Sequence, residues 1–318
     1  MVAVTGASGY IGTRLLRELQ EQEEPHNLVA IDTRPLPFPA LNVAAYRRDV
    51  TEPIADVLLH HRATTLVHLA FGARRGRNLG EDDAMRQANL VALSAVLDSC
   101  VRSSLSHFIY LSSYTVYGAH PDNPIPLTDK ASPRPLPEFP YGYDKYLSEL
   151  TIQKFAERHT EVRVTILRSC IVLGPSGASS MTGGLFRPWL LGVLGYNPPL
   201  QFLHEDDLAR ALIMIIRRRL PGVFNVAGAG VVYYHEMAEI IKSRLIILPA
   251  FLAYPLAQLT WNLRLQRDST AAGLDLVRYP MVLSTGKLTQ ATGYRFRHTS
   301  LEALTAFVNS FLPNKGSI

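Results

Sequence analysis

The sequence predicts an α/β protein built on a doubly wound parallel sheet, with a second, smaller and discontinuous region. Three observations point there. Short apolar runs of strand length alternate with stretches of helical period from Val2 to Leu167. A glycine-rich turn joins the first run to the first helix. After Gly174-Pro175 the composition shifts, Ser176 to Gly184 being rich in serine and glycine and Leu185 to Gly195 apolar.

The elements follow in order. Val2-Ala3-Val4, the turn Thr5 to Gly12 and the amphipathic stretch Ile11 to Leu19 make a βα unit. Further strands are expected at Leu28 to Ile31, Thr65 to Leu69, His107 to Leu111 and Val162 to Leu167, with helices at Ala84 to Val101 and Tyr143 to Arg158 between them. Such alternation buries a parallel sheet under helices on both faces and puts ligands at the carboxyl ends of the strands. Helical period returns at Asp206 to Arg217. A short strand at Val223 to Val226 is assigned back to the sheet, so the nucleotide-binding unit reads as 1–174 plus 204–230 and the smaller region as 175–203 plus 231–318. Pro121 to Pro140 holds seven prolines in twenty residues and is expected to run extended over the surface. The apolar stretch Leu245 to Leu263 contains Pro249, Pro255, Gln258, Thr260 and Asn262, so it reads as helix–turn–helix packing rather than a membrane span, with contact to a membrane surface left open.

Composition excludes several classes. The 318 residues are 47% hydrophobic and 19% charged, below the roughly 25% charge of ordinary domains, so the chain is neither disordered nor supercharged. A net charge of +5 spread along the chain, without zinc-ligand spacing or a basic helix, argues against nucleic acid as a partner. Two cysteines, Cys100 and Cys170, cannot build a disulfide framework, and Met1 runs into a strand with no leader pattern, so the expected compartment is the cytoplasm.

In Thr5-Gly6-Ala7-Ser8-Gly9-Tyr10-Ile11-Gly12, Gly6 permits the tight turn, Gly9 lets the main chain approach a pyrophosphate, and Gly12 lets helix and strand approach closely. The free N–H groups of the helix start, around Ser8, Tyr10 and Ile11, then face an anion. Asp32, twenty residues beyond Gly12, can accept both ribose hydroxyls of an adenosine. That favours NAD over NADP, although Arg34 could offset part of the repulsion of a 2′-phosphate. Tyr141 and Lys145 stand four residues apart, hence on one helical face, and an ammonium beside a phenol favours the phenolate. Ser112-Ser113 ends the strand from His107 and brings a hydroxyl to the same sheet edge.

Together these residues resemble the extended short-chain dehydrogenase/reductase family, the NAD-dependent epimerase/dehydratase group with a Rossmann sheet. The resemblance rests on Thr5-Gly6-x-x-Gly9-x-x-Gly12, Asp49-Val50, His68-Leu69-Ala70, Asn89, Ser112-Ser113 with Val116-Tyr117-Gly118, and Tyr141-x-x-x-Lys145. It extends through Leu167-Arg168 with Gly174-Pro175 to His204-Glu205-Asp206-Asp207-Leu208-Ala209. It implies Tyr141 as acid/base, Lys145 as holder of the nicotinamide ribose and tuner of Tyr141, and Ser113 as donor to the substrate oxygen. It also implies Asp49 and Val50 beside the adenine, a cleft lined by Leu69, Ala70 and Asn89 with Leu111, Ser112 and Cys170 at its nicotinamide end, and a homodimer paired through the two long helices.

The family pattern is broken in places. Dehydratases carry an Asp-Glu pair after the catalytic hydroxyl, where this chain has Tyr114-Thr115, which argues against a 4,6-dehydratase. Nucleotide-sugar epimerases carry an asparagine and an arginine where this chain has Ile171 and Leu200, and a diphosphate needs cationic or N–H partners. The apolar set Leu185, Phe186, Trp189, Leu190, Leu191, Phe251, Leu252, Tyr254 and Trp261 either lines a pocket for a less polar substrate or forms the small region's core. Arg74, Arg75 and Arg77 either meet an anionic group or are solvated, and Arg187 is a further cation for a diphosphate. His60, His61 and His68 lack metal-ligand spacing, Asp206 and Asp207 opposite Arg217-Arg218-Arg219 suit a helix macrodipole, and Cys170 reads as a buried thiol. The expectation is reversible hydride transfer at a secondary alcohol or ketone; a sugar-nucleotide 4-epimerase and a non-catalytic NAD-sensing protein remain alternatives.

Overall fold

The structure, a computed structural model, describes residues 1–22, 27–39, 41–72, 79–177, 188–263, 265–266 and 270–311. The elements begin with β1 (Val2–Thr5), α1 (Tyr10–Gln20), β2 (Leu28–Asp32), β3 (Val43–Arg47), α2 (Ala55–His60), β4 (Thr65–His68), α3 (Leu79–Arg102) and β5 (His107–Ser113). They continue with α4 (Pro140–Arg158), β6 (Arg163–Ser169), β7 (Ile171–Leu173), β8 (Trp189–Val193), β9 (Pro199–Leu200), β10 (Phe202–His204), α5 (Glu205–Arg218) and β11 (Gly222–Val226). The chain closes with β12 (Val232–Tyr233), α6 (Tyr234–Ile240), β13 (Arg244–Leu248), α7 (Ala250–Asn262), α8 (Gly286–Thr292) and α9 (Ser300–Phe311).

Seven parallel strands form one sheet in the order β11-β6-β5-β4-β1-β2-β3, with β11 returning to the sheet beside β6. The direction of winding reverses between β1 and β4, which opens a crevice beyond their carboxyl ends. Burial on both faces explains the unbroken apolar runs: every residue of β1 and β4 is buried. One core lies between the sheet and the layer of α1 and α5, around Leu15, Leu16, Leu208, Leu212 and Ile215; the other lies under α2, α3 and α4, around Leu58, Leu93, Val96, Phe108 and Ile152.

The structure differs from the sequence reading in three places. Leu245 to Leu263 is a strand followed by a helix, not two helices. The branched run Leu245-Ile246-Ile247-Leu248 pairs in parallel with β8, and Pro249 stops the ladder and caps α7. Pro121 to Pro140 is not wholly superficial, for Leu127 is buried, its N–H donating to the Val282 carbonyl and its carbonyl accepting from Ser284 N and Asn225 Nδ2. The carboxylates opening α5 do more than complement a dipole. Asp206 pairs with Arg14 at 2.6 Å, and the fully buried Asp207 accepts hydrogen bonds from Arg297 N, His298 N and His298 Nδ1, each at 2.9 Å, and from the Tyr294 hydroxyl. Asp207 thus ties the segment before α9 to the sheet domain.

Candidate active site

The turn after β1 is shaped for close approach. Gly6 has φ +70°, a conformation glycine adopts freely, and an added Cβ would lie 2.6 Å from Ala70 N in the loop after β4. At Gly12 an added Cβ would collide with the Gly6 carbonyl, so α1 can lie on the turn only because that position is bare. Gly6 N and Ala7 N donate to the Ile31 carbonyl, and Gly9 N to Gly6 O. Tyr10 and Ile11 begin α1 directly at this turn.

A cleft of about 240 Å³ opens at the crevice between β1 and β4, lined by Gly6, Gly9, Asp32, Arg34, Asp49, Val50, Leu69 and Ala70 and also by Ile31, Thr33, Arg48 and Phe71. Asp32 stands at its wall, one carboxylate oxygen accepting from Ser8 N and the other from Arg34 N, both at 2.9 Å. Asp49 accepts from the main chain and hydroxyl of Thr51. Asn89 does not line this cleft; its amide clasps Gly72, accepting from N at 2.8 Å and donating to O at 3.1 Å, and so fixes the loop that carries Leu69 to Phe71.

The second half of the site lies where β5 meets α4. Ser113 ends β5 and caps the 3-10 turn Tyr114–Tyr117, its Oγ accepting from Thr115 N at 3.2 Å and Thr115 Oγ1 at 2.9 Å. Pro140 starts α4, and Gly142 in its first turn abuts the Thr115 main chain, which seats the helix start on the 3-10 turn. Tyr141 is half-buried, its ring edge-on to Phe71 at 5.9 Å and to Phe139 at 6.5 Å. A phenolate there would oppose ionisation of Tyr110 and Tyr114, whose hydroxyls burial already pushes upward.

Lys145, one turn along α4, is buried. Its Nζ donates to the Leu111 carbonyl at 2.8 Å and to the Tyr110 hydroxyl at 3.3 Å, and stands over the Phe71 ring at 3.8 Å and the Tyr110 ring at 4.7 Å. Desolvation lowers the ammonium to about 7, against a smaller upward pull from Glu149. His68 lies beneath, buried, hydrogen-bonded to Thr5 Oγ1 at 2.7 Å and stacked on Tyr110; burial, with Lys145 adding to it, holds it near 3 and therefore neutral.

Other expected residues are turned elsewhere. The Ser112 hydroxyl donates to Glu149, away from Ser113's neighbours. Cys170 is buried, its thiol pushed up to about 12 by desolvation, which suits an inert side chain and not a nucleophile. Ile171 and Leu200, in the positions where an epimerase has polar groups, pack on the apolar cluster of Leu173, Phe202 and Val232. Among the described residues no group of His, Cys, Asp and Glu could hold a metal ion. Arg74, Arg75, Arg77, Leu185, Phe186 and Arg187 lie outside the described residues.

Sequence reasoning missed two features. Phe71 forms an aromatic face for Lys145, and no spacing rule links the two. Arg168, Glu149 and Tyr117 form a buried network: Arg168 donates to Glu149 at 2.6 Å and to the Tyr117 hydroxyl at 2.9 Å, and Tyr117 donates to Asn225 at 2.8 Å. The one available signal was Glu149 four residues after Lys145, on the same helical face.

Comparison with known proteins agrees with this architecture. The sequence model of the NAD dependent epimerase/dehydratase family matches residues 2–227. An uncharacterized protein of Mycobacterium tuberculosis is 25% identical over 315 residues, covering 95% of this chain and 82% of its own length. UDP-glucose 4-epimerase of Azospirillum brasilense is 26% identical over 243 residues, covering 68% of each chain. Among solved structures, MoeE5 in complex with UDP-glucuronic acid and NAD superposes with a TM-score of 0.75 at 23% identity, covering 98% of both chains. The UDP-glucose 4-epimerase of Thermus thermophilus in complex with NAD gives 0.74 at 18%, covering 100% of this chain and 99% of its own. These two likenesses show the fold. The cleft fits the cofactor in the family's description: a glycine turn with no room for side chains, a helix start beside it, and a carboxylate at the end of β2.

Proposed function

The chain belongs to the NAD dependent epimerase/dehydratase family, and from that premise we propose that it catalyses reversible hydride transfer at a secondary alcohol or ketone carbon. Its cofactor is NAD, which supplies the hydride acceptor and donor when bound. In the proposed division of labour, residues 1–174 and 204–230 hold the cofactor, and 175–203 and 231–318 shape the substrate site. Gly6 and Gly9 make room for the pyrophosphate, and the N–H groups of Tyr10 and Ile11 at the start of α1 hold it; Asp32 takes the adenosine ribose and keeps Ser8 in place, with Asp49 and Val50 beside the adenine.

Tyr141 acts as general acid/base, taking the hydroxyl proton as the carbon is oxidised and returning it as the carbonyl is reduced. Ser113 donates to the same substrate oxygen. The observation that carries this reading is Lys145, an amine held out of water one helical turn from Tyr141 and poised near neutrality by burial. A buried cation gains most from a nearby anion, so each of the two groups favours the charged form of the other. A redox sensor without catalysis would have no use for that pair.

Ile171 and Leu200 supply no partner for a diphosphate, which supports a substrate less polar than a nucleotide sugar. The similarity to UDP-glucose 4-epimerases supports a second reading, 4-epimerisation of a sugar nucleotide with a different clamp. Calorimetry with UDP-glucose and dTDP-glucose separates them: binding in the micromolar range establishes the epimerase reading, and no heat excludes it. For the chemistry itself the test is Tyr141→Phe, which should keep NAD binding and lose turnover by ~10²–10⁴-fold. Undiminished turnover would end the mechanism.

A further inference from the structure

The small layer of β8, β13 and α7 is assembled inside out. Helix α7 turns its alanines inward, Ala253 at 0% and Ala257 at 9% exposure, against Leu191, Val193 and Leu248. Its large side chains point to solvent: Phe251 at 74%, Leu252 at 48%, Leu256 at 42% and Leu259 at 53%, with Leu263 at 59% just past the helix end. At about 100° per residue these positions share one face roughly 140° wide. No residue from Ala250 to Leu263 is charged. The polar side chains of the helix are already engaged with the protein: Thr260 donates to the Ala257 carbonyl, Tyr254 to Asp275, and Gln258 to Asn262 while accepting from Ala271 N. Trp189 and Ile246, on the face of the supporting ribbon that carries Leu191 and Leu248, are exposed as well. The helix face alone shows on the order of 500 Å² of apolar area, the size of the largest and often functional patch on a soluble monomer.

We propose that this face docks the protein on an anionic lipid surface, with α7 lying in the headgroup plane. The charges around it suit that occupant. From residue 239 to 268 the sequence holds four cations, Lys242, Arg244, Arg264 and Arg267, against two acids at its ends, Glu239 and Asp268, and Lys242 and Arg244 are exposed at the start of β13. With 13 residues α7 is too short to cross a bilayer, and among the described residues no helix is long and apolar enough to do so. Docking of this kind is independent of the reaction proposed above.

The test is flotation of the full chain with vesicles of phosphatidylcholine, with and without phosphatidylglycerol. Binding is expected to the anionic vesicles, to weaken at high salt, and to fall by about tenfold or more in the double variant Leu252→Glu, Leu259→Glu. The chain's two tryptophans, Trp189 and Trp261, both belong to this layer, so bromine-labelled acyl chains should quench its fluorescence, a readout that needs no variant. Absence of binding and quenching with anionic vesicles overturns the proposal. So does binding that the double variant leaves intact, or an oligomer in solution that the double variant dissociates, which would give the face to a second copy.

Discussion

The ammonium of Lys145 stands 3.8 Å from the centre of the Phe71 ring, with the Leu111 carbonyl as its nearest acceptor at 2.8 Å. Two aromatic faces, one carbonyl and a longer contact to the Tyr110 hydroxyl replace only part of a cation's hydration, which is why the group falls to about 7. The folded value lies below the 10.5 of an unperturbed lysine, so between about pH 7 and 10.5 the unfolded chain holds a proton that the folded chain has released. Stability therefore rises with pH across that window. Wild type is expected to gain on the order of 2 kcal/mol between pH 7 and 9 relative to Lys145→Met, read from urea unfolding of both proteins at each pH. Parallel pH curves would show that Lys145 is solvated.

His68 gives the matching behaviour in acid. Its ring is held near 3 by burial, and the buried His107 near 4 by the same cause with Arg219 and Arg163 adding to it. Below about pH 6.5 the unfolded chain takes up protons that the folded chain refuses until those lower values, so stability is lost as pH falls from 6.5 toward 3. Lowering the pH from 7 to 4.5 should cost ~2 kcal/mol less in His68→Gln than in wild type. The check is the difference in urea midpoints at the two pH values.

Asp32 sets a preference between cofactors. Its oxygens are held by Ser8 N and Arg34 N, facing a cleft that Arg34 and Arg48 also line. Replacing the carboxylate removes the repulsion of a 2′-phosphate and leaves two cations near it. Asp32→Ser is expected to weaken NAD binding about tenfold or more while NADP binding holds or improves, measured by titration of each dinucleotide. Equal losses for both would place the ribose elsewhere.

Much of this arrangement was legible in the sequence because it is local. The turn from Thr5 to Gly12 and the pair Tyr141 and Lys145 each lie within eight residues, and the periods on either side say which is strand and which is helix. What stayed hidden depends on distant partners. Asp207 finds its donors about ninety residues later, at Arg297 and His298, whereas in the sequence a carboxylate in the first turn of a helix is already accounted for by the macrodipole. Phe71 reaches Lys145 only because the β4 and β5 ends adjoin in the sheet. The apolar count of Leu245 to Leu263 was visible, but which side of α7 faces the protein was not, since alanines and leucines are alike to a hydrophobic pattern.

Arg168 and Glu149 are both about 5% exposed, and their 2.6 Å ion pair lies directly behind the strand ends that carry Ser112 and Ser113. Glu149 accepts from Ser112 as well, and Arg168 donates to Tyr117, so each charge has more than one partner. Desolvating two ions is costly, and what offsets the cost is the full set of bonds. Arg168→Met should therefore destabilise the fold by about 3–5 kcal/mol, because it strands a buried carboxylate with one hydroxyl for company. Glu149→Gln, which keeps the shape and loses the charge, should be similarly damaging because the guanidinium stays. Removing both charges in Arg168→Met, Glu149→Leu should recover much of the loss, giving a strongly non-additive cycle in urea unfolding. The double variant should still show lower turnover than wild type, since Ser112 loses its acceptor one residue from Ser113. Additive losses would mean that water reaches the pair and that the site is not braced from behind.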